Sequence, residues 1–266
     1  MLSGLLMKQR APCRTAAAVL QRRQLSAAAA TGSCVAIGLG NMGAPLAGRI
    51  AAKFPTSAFD MSSAAAERHA AEYGSVALSG AEELNAAVAA AEVVVTCLPN
   101  TDATLATVDL VRPSLKPGTV WIDATSGKSE DAAALAAELW EKHSVRYLDC
   151  AVSGGPKGAT NGILAALVGG DKATFEGVEP VISTFSDKIT HLGPAGSGHL
   201  VKAINNALLA ASASRRPLRT LSPTHRERKQ AQPPKRRSVV RSLQRSLPPL
   251  LTAADSGLRV RVAQIC

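Results

Sequence analysis

The sequence predicts an α/β fold with a doubly wound, mostly parallel sheet, because short apolar runs of strand type alternate with segments of helical composition. The run from Glu92 to Cys97 is almost continuously apolar, as expected for a strand that helices cover on both faces. The run from Val35 to Ile37 breaks directly into glycines and continues as a helix. Together these runs favour a sheet that binds ligands at the carboxyl edge of its strands.

A glycine-rich turn joins the first strand to the first helix, and Gly38, Gly40 and Gly43 fill all three places of G-x-G-x-x-G. The first glycine permits a tight turn, the second lets backbone approach a pyrophosphate, and the third lets the helix lie close to the strand. Free N–H groups at the helix N-terminus favour an anion there. The pattern predicts a Rossmann-type dinucleotide site, and the alternative is a glycine-rich turn without a ligand. The residues predicted to contact the cofactor here are Gly38, Leu39, Gly40, Asn41, Met42 and Gly43.

An acidic residue follows the second predicted strand, 57–59. Asp60 lies 17 residues past Gly43, close to where a Rossmann unit places the carboxylate that binds the adenosine ribose hydroxyls. A carboxylate at this place accepts hydrogen bonds from a ribose diol and repels a 2′-phosphate, so the sequence predicts NAD rather than NADP. The alternative is an acid that ends a strand at a solvated turn.

Polar segments also follow three later strands. The segment 98–101 follows the strand 92–97, and the segment 124–127 follows the strand 120–123. For Thr125 and Ser126, turn and capping chemistry alone stays an open alternative. Ser129 is expected to cap a helix that runs to Lys142.

The third polar segment is glycine-rich. Residues 151–158 follow the strand 145–148 and are predicted to form a loop whose N–H groups hold a carboxylate. A further apolar run from 163 to 168, a helix through Ser183 and a last short strand from Ile189 to Leu192 complete the predicted sheet domain.

The basic residues are concentrated at the two ends of the chain, which has a net charge of +10. Residues 1–30 contain five basic residues and no acid, and residues 215–266 contain thirteen basic and two acidic residues. Residues 31–214 therefore hold 12 basic and 18 acidic residues, so the predicted folded part is mildly acidic.

The first 30 residues are rich in Arg, Ala, Ser and Leu, which is typical of a mitochondrial transit peptide and predicts a matrix location. A disordered, unprocessed N-terminus is the alternative. No apolar run approaches the length of a membrane span, so no membrane partner is expected. The five cysteines show no metal-binding spacing, and no metal site is predicted.

A second glycine-rich segment, 193–198, precedes a helix that carries Lys202 and Asn206 four residues apart, on one helical face. An amine and an amide that project together suit a hydroxyl-to-carbonyl interconversion, in which one group moves the proton and the other orients the oxygen. The spacing alone favours a solvated polar face over a catalytic pair.

Four stretches, in this order, resemble the β-hydroxyacid dehydrogenase family, which includes the 3-hydroxyisobutyrate dehydrogenases. The resemblance implies that Lys202 is catalytic and that Asn206 supports the substrate. It further implies that Leu98, Pro99, Asn100 and Thr125 contact the nicotinamide cofactor and that Ser153, Gly154 and Gly155 bind the substrate carboxylate. The stretches are Gly38 to Gly43, Leu98-Pro99-Asn100, Asp149 to Gly155, and Gly196-x-Gly198-x-x-x-Lys202-x-x-x-Asn206.

After about Ser214 the sequence departs from this family. The resemblance implies that the lysine helix continues into an all-helical domain, which closes the active site and makes much of the contact between subunits of a homo-oligomer. Residues 215–266 instead are rich in Arg, Lys, Pro, Gln and Ser, and no aromatic residue follows Phe185. Such a segment buries too little apolar surface to order itself, so we expect a disordered basic tail. A nucleic-acid-binding tail is a distant alternative.

The expected function is the NAD-dependent oxidation of a small 3-hydroxy acid, namely 3-hydroxyisobutyrate to methylmalonate semialdehyde in valine catabolism, impaired by the departure after Ser214. The alternatives are an inactive NAD-binding remnant from a diverted reading frame and a glyoxylate or semialdehyde reductase of the same family. The predicted organisation is a transit peptide (1–30), a Rossmann domain (31–197), the start of a connector helix (198–214) and a disordered tail (215–266).

Overall fold

The structure, a computed structural model, describes residues 32–213. The predictions of a transit peptide in residues 1–30 and of a disordered tail in residues 215–266 lie outside the described residues. Between residues 32 and 213 strands and helices alternate along the chain, and the strands form a single mixed sheet. The predicted α/β fold with a doubly wound, mostly parallel sheet is confirmed.

The sheet of the described residues has eight strands: β1 (Cys34–Ile37), β2 (Thr56–Phe59), β3 (Val76–Leu78), β4 (Val93–Thr96), β5 (Val120–Asp123), β6 (Arg146–Ser153), β7 (Leu164–Gly169) and β8 (Ser186–Gly193). Their order is β3-β2-β1-β4-β5-β6-β7-β8. The strands β1 to β6 are parallel, β7 is antiparallel to β6, and β8 is parallel to β7. The order reverses between β1 and β4, which is where open α/β sheets bind ligands at their carboxyl edge.

Helices pack on both faces of this sheet, so the central strands β1, β4, β5 and β6 contribute side chains to more than one buried cluster. On β4, Val93 and Val95 belong to one buried cluster and Val94 to the other. On β5, Trp121 is fully buried in the second cluster. The helices of the described residues are α1 (Gly43–Ala51), α2 (Ser63–Tyr73), α3 (Ala81–Ala90), α4 (Thr101–Val111), α5 (Ser129–His143), α6 (Gly155–Asn161), α7 (Lys172–Ile182) and α8 (Ser197–Ala213), with a short 3₁₀ turn at Arg112–Ser114.

The prediction that residues 151–158 form a loop was wrong. The structure continues β6 through Ser153 and begins α6 at Gly155. Residues Asp149 to Ser153 pair with the antiparallel strand β7, and Ala151 and Val152 are buried there. The prediction was wrong because the hydrogen-bond partner that extends this strand lies beyond the glycines that suggested a loop.

Three other differences are smaller. The short edge strand β3 and the helix α4 were not predicted, and β8 is twice as long as the predicted strand from Ile189 to Leu192. The chain also divides into two compact units, Met1–Ala203 and Ile204–Cys266. The first unit holds the whole described sheet, and the described part of the second is the end of α8, residues 204–213. The predicted domain boundaries stay predictions.

Candidate functional site

The glycine turn after β1 brings the strand and helix α1 into direct contact. Gly38 has a φ of +94°, and a Cβ at this position would lie 2.5 Å from the carbonyl oxygen of Cys97. A Cβ at Gly43 would collide with the carbonyl oxygen of Gly38. Both glycines are therefore required by the packing of the protein itself.

Gly40 differs from these two glycines, because no atom within 4 Å would contact a Cβ placed there. The residue is exposed, and α1 begins three residues later without a side-chain cap. An uncapped helix N-terminus leaves N–H groups available to an anion. The turn thus has both the space and the donors that the pyrophosphate of a dinucleotide requires.

The half-buried carboxylate of Asp60 is joined to this turn by hydrogen bonds. Its Oδ2 accepts from the backbone N–H of Leu39 at 2.7 Å, and its Oδ1 accepts from the backbone N–H of Ser62 at 3.0 Å. Each carboxylate oxygen has two lone pairs, so one on each remains for a further donor. The carboxylate is therefore held in place beside the turn with lone pairs left to accept from a ribose diol, and binding of a ribose there stays a prediction.

The segments after β4 and β5 are tied together by a buried hydroxyl. Thr125 is 1% exposed, and its Oγ1 accepts from the backbone N–H of Leu98 at 3.0 Å and from the hydroxyl of Thr104 at 3.3 Å. Asn100 caps α4, because its Oδ1 accepts from the N–H of Ala103 at 2.9 Å. These two side chains shape the edge of the sheet through protein contacts, so a contact of either residue with a cofactor stays a prediction.

The predicted carboxylate-binding residues lie where β6 passes into α6. Ser153 is half-buried and is the last residue of β6. Gly154 and Gly155 are exposed and have φ of +138° and +66°, values that favour glycine. A Cβ at Gly154 would also lie 2.9 Å from Leu164 Cδ2. These glycines are explained by backbone conformation and packing, and binding of a carboxylate there stays a prediction.

Lys202 lies in the second turn of α8 and is half-buried. Burial lowers the pKa of its amine from the ordinary value, because desolvation disfavours the charged form. A lowered pKa is what a lysine needs to accept a proton near neutral pH. Asn206, one turn later along the same helix, is exposed and belongs to the second compact unit.

Two buried acids that the sequence analysis did not assign lie at neighbouring register positions of β5 and β6. Asp123 is 2% exposed and accepts from the hydroxyls of Thr96 at 2.9 Å and Tyr147 at 2.8 Å, and from the N–H of Thr125 at 3.0 Å. The burial of Tyr147 and then the adjacent Asp123 carboxylate raise the pKa of the Tyr147 phenol well above its ordinary value. Asp123 therefore anchors the turn that holds Thr125.

The second acid, Asp149, is fully buried and bonds to the start of α8. Its Oδ1 accepts from the N–H of Gly196 at 2.7 Å, and its Oδ2 accepts from the N–H of His199 at 2.8 Å. Burial raises the pKa of Asp149, and these two hydrogen bonds oppose that rise. The sequence signal that points to Asp149 is an acid inside the apolar run from Tyr147 to Val152, where a charge needs buried partners.

His199 is 2% exposed, and neither ring nitrogen has a hydrogen-bond partner among the described residues. A Cβ at Gly127 would lie 2.9 Å from the His199 Nδ1 and 3.0 Å from Thr101 Oγ1. The imidazole therefore lies against the segments that follow β4 and β5. The sequence pattern gave no role to His199.

Residues 32–213 contain no helix with both the length and the apolar character that a membrane span requires. The same residues contain no group of three or more His, Cys, Asp or Glu side chains arranged to hold a metal ion.

Comparisons with known proteins identify the chain's relatives. Residues 33–193 match the family described as the NAD binding domain of 6-phosphogluconate dehydrogenase. A probable 3-hydroxyisobutyrate dehydrogenase of Mycobacterium tuberculosis is 39% identical over 175 residues, which cover 65% of this chain and 58% of the relative. A 2-(hydroxymethyl)glutarate dehydrogenase of Eubacterium barkeri is 36% identical over 183 residues, which cover 66% of this chain and 58% of the relative.

A solved structure is similar over the same part of the chain. The Mycobacterium tuberculosis 3-hydroxyisobutyrate dehydrogenase with L-serine aligns with a TM-score of 0.63 at 37% identity, over 68% of this chain and 60% of that chain. This chain thus spans less than two thirds of the length of the relatives it matches.

Proposed function

We propose that this chain, which belongs to the family of the NAD-binding domain of 6-phosphogluconate dehydrogenase, oxidises a small 3-hydroxy acid with NAD as the hydride acceptor. The predicted resemblance to β-hydroxyacid dehydrogenases is confirmed by the relatives, and the predicted NAD cofactor is confirmed by the family. The observation that carries the proposal is the open turn at Gly40 beside the fixed carboxylate of Asp60. This turn fits a dinucleotide. The other residues assigned to the site come after it in the sequence, at the carboxyl edge of the sheet.

The names of the relatives support the substrate class. 3-Hydroxyisobutyrate, 2-(hydroxymethyl)glutarate and L-serine each carry a hydroxymethyl group on the carbon next to a carboxylate. We assign the same group to the substrate of this chain. In this assignment Ser153, Gly154 and Gly155 bind the carboxylate at the end of β6.

Lys202 has the role of proton acceptor in this proposal. Bound NAD supplies a hydride acceptor at C4 of its nicotinamide. Lys202 takes the proton of the substrate hydroxyl as the hydroxyl-bearing carbon of the substrate is oxidised to a carbonyl. The lowered pKa of its half-buried amine supports this role. The neutral amine required for this step becomes more abundant as the pH rises through that lowered pKa. Asn206 supports the substrate oxygen, as the family resemblance implies.

The finer assignment is the oxidation of 3-hydroxyisobutyrate to methylmalonate semialdehyde in valine catabolism in the mitochondrial matrix. The similarity to 3-hydroxyisobutyrate dehydrogenases supports the substrate. The Arg-, Ala- and Ser-rich residues 1–30 support the location. Assembly into a homo-oligomer is part of the same proposal.

A second candidate function is NAD binding without turnover. It is favoured by the exposure of Leu200, 44%, on the lysine-bearing helix. Hydride transfer requires that water be excluded from the reacting atoms. Under this second function the chain binds the dinucleotide, but water reaches the surroundings of Lys202 too freely for hydride transfer.

The experiment measures binding and turnover separately on the full chain. Calorimetry records NAD binding, and absorbance records NADH formation with 3-hydroxyisobutyrate, L-serine or 2-(hydroxymethyl)glutarate. The dehydrogenase proposal predicts NADH formation that Lys202→Ala slows by about 100-fold or more. NAD binding with equal rates for the two chains would contradict it and favour the second candidate. A glyoxylate or semialdehyde reductase would instead oxidise NADH when glyoxylate or a semialdehyde is supplied.

A further inference from the structure

The helix that carries Lys202 has no capping side chain of its own. Its first residue, Ser197, follows Gly196, which has a φ of +91° and whose Cβ would lie 2.5 Å from the carbonyl oxygen of Ser129. A Cβ at Gly198 would collide with the carbonyl oxygen of Leu167. The helix thus begins in backbone-to-backbone contact with its surroundings, and a capping side chain at Gly196 has no room.

The missing cap comes from the sheet. The Asp149 carboxylate accepts from the N–H of Gly196, directly before the helix, and from the N–H of His199, in its first turn. These donors lie 47 and 50 residues further along the chain. Hydrogen bonds to a charged acceptor are the stronger ones, and an anion at a helix N-terminus is also favoured by the helix dipole.

The carboxylate has little freedom to move. Asp149 is fully buried, and a Cβ at Gly169, its pairing partner on β7, would collide with Asp149 Oδ1. Because the two oxygens bond to amides on either side of the helix start, they restrain both its position and its rotation. The hydroxyl of Ser129 adds one further bond, to the carbonyl oxygen of Gly196 at 2.9 Å. The expectation that Ser129 caps α5 was therefore wrong, since that hydroxyl bonds to this segment instead.

We propose that Asp149 is a positioning residue for Lys202: its buried carboxylate fixes where α8 begins against the sheet and so fixes the depth of the Lys202 amine at the carboxyl edge. The proposal rests on the proposed function only in treating Lys202 as the proton acceptor. Asp149 does not touch the reacting atoms in this role. It acts through the helix, which carries Lys202 about one turn beyond the His199 amide.

The test compares Asp149→Asn with Asp123→Asn in the full chain without added ligand. Asn keeps the shape of Asp but offers only one accepting oxygen, so one amide at the start of α8 loses its partner. Asp123 is the matched control, because it is the buried register partner of Asp149 and bonds to no residue of α8 among the described residues. Both variants replace a buried carboxyl group that accepts several hydrogen bonds, so both are expected to melt at lower temperature.

The readout that separates positioning from general stability is the pKa of Lys202. Trace labelling of amines with acetic anhydride over a pH series, followed by mass spectrometry of the Lys202 peptide, gives this pKa. Exposed Lys142 serves as an internal reference. We expect Asp149→Asn to raise the pKa of Lys202 toward its ordinary value, because a loosened helix exposes the amine. Asp123→Asn is expected to leave it unchanged.

An unchanged Lys202 pKa in a folded Asp149→Asn chain, or an equal change in both variants, would overturn the proposal. If Asp149→Asn does not fold, amide hydrogen exchange of the wild-type chain decides the question. Slow exchange at Gly196 and His199 is then expected, and fast exchange at these amides would overturn it. The labelling needs no turnover, so an inactive wild-type chain with the expected shift would contradict the proposed function and leave the positioning role intact.

Discussion

The helices α1 and α8 both begin through glycines, yet their N-termini are satisfied in different ways. At α1 no side chain caps the helix, and the space beside Gly40 is free of protein atoms. At α8 the Asp149 carboxylate occupies the corresponding place and accepts from the amides of Gly196 and His199. The first N-terminus is open to an external anion, and the second already holds an internal one.

A glycine before a helix can therefore serve two separate purposes. A Cβ at Gly43, Gly196 or Gly198 would collide with protein backbone, so these glycines serve the packing of helix against sheet. Gly40 is exposed and uncrowded, so its lack of a side chain serves something that is not protein. Several glycines precede the helix in both places, and their surroundings separate a ligand site from a packing contact.

The largest expected effect concerns the packing glycines. Gly43→Ala and Gly198→Ala should each lower the free energy of unfolding by about 1–3 kcal/mol, because a methyl group is forced against a backbone carbonyl oxygen. Urea denaturation followed by circular dichroism measures this loss. A loss below about 0.5 kcal/mol at either position, the range of an ordinary surface change, would break the distinction between the two kinds of glycine.

Gly40→Ala should show the opposite behaviour. Its methyl group meets no protein atom, so we expect the free energy of unfolding to stay within about 0.5 kcal/mol of the wild-type value. The same methyl group obstructs the approach of a pyrophosphate, and NAD affinity should fall by about tenfold or more, which corresponds to about 1.4 kcal/mol. Calorimetric titration with NAD measures the second effect, and unchanged affinity would show that the phosphates lie elsewhere.

The choice between NAD and NADP depends on Asp60. Its carboxylate is held by the amides of Leu39 and Ser62 and repels a 2′-phosphate, so NADP should bind about tenfold more weakly than NAD. Asp60→Arg should shift the preference toward NADP, and Asp60→Asn serves as the control that keeps the shape without the charge. Equal affinities of the wild-type chain for NAD and NADP would contradict this role of Asp60.

The smallest effect concerns the stability cost of Lys202. The pKa of Lys202 is lowered in the folded chain, so between the lowered and the ordinary pKa the unfolded chain binds more protons than the folded chain. The free energy of unfolding therefore increases as the pH rises across this range. Lys202→Met should therefore raise the melting temperature by about 1–2 °C at neutral pH. The gain should shrink at alkaline pH. A gain that is constant from neutral to alkaline pH would show that packing rather than charge causes it.

The fold and the first glycine turn could be predicted because their signals are local. The strand β1, the glycines from Gly38 to Gly43 and the acid Asp60 lie within one short stretch of sequence. The extension of β6 could not be predicted, because it depends on pairing with β7 across the glycines that suggested a loop. The role of Asp149 was hidden for the same reason, since its hydrogen-bond donors lie at the start of a helix, 47 and 50 residues later in the sequence.

Some of the sequence signals at strand ends have a structural explanation beside the functional one, and for Asn100 and Thr125 the contact with a cofactor stays a prediction. Asn100 and Thr125 were assigned to cofactor contact through the family resemblance, and both side chains bond to the protein itself. Ser129 was expected to cap its own helix, and it bonds to Gly196 instead. Small polar residues at strand ends serve turns, caps and ligands alike, so the sequence pattern alone does not separate these roles.

The most direct test of the account is backbone amide hydrogen exchange of the full chain, measured residue by residue with and without NAD. We expect NAD to slow exchange of the amides from Gly40 to Gly43. We also expect the amides of Gly196 and His199 to exchange slowly without NAD and to change little when it is added. Fast exchange at Gly196 and His199 without NAD, or no change from Gly40 to Gly43 at saturating NAD, would contradict the account.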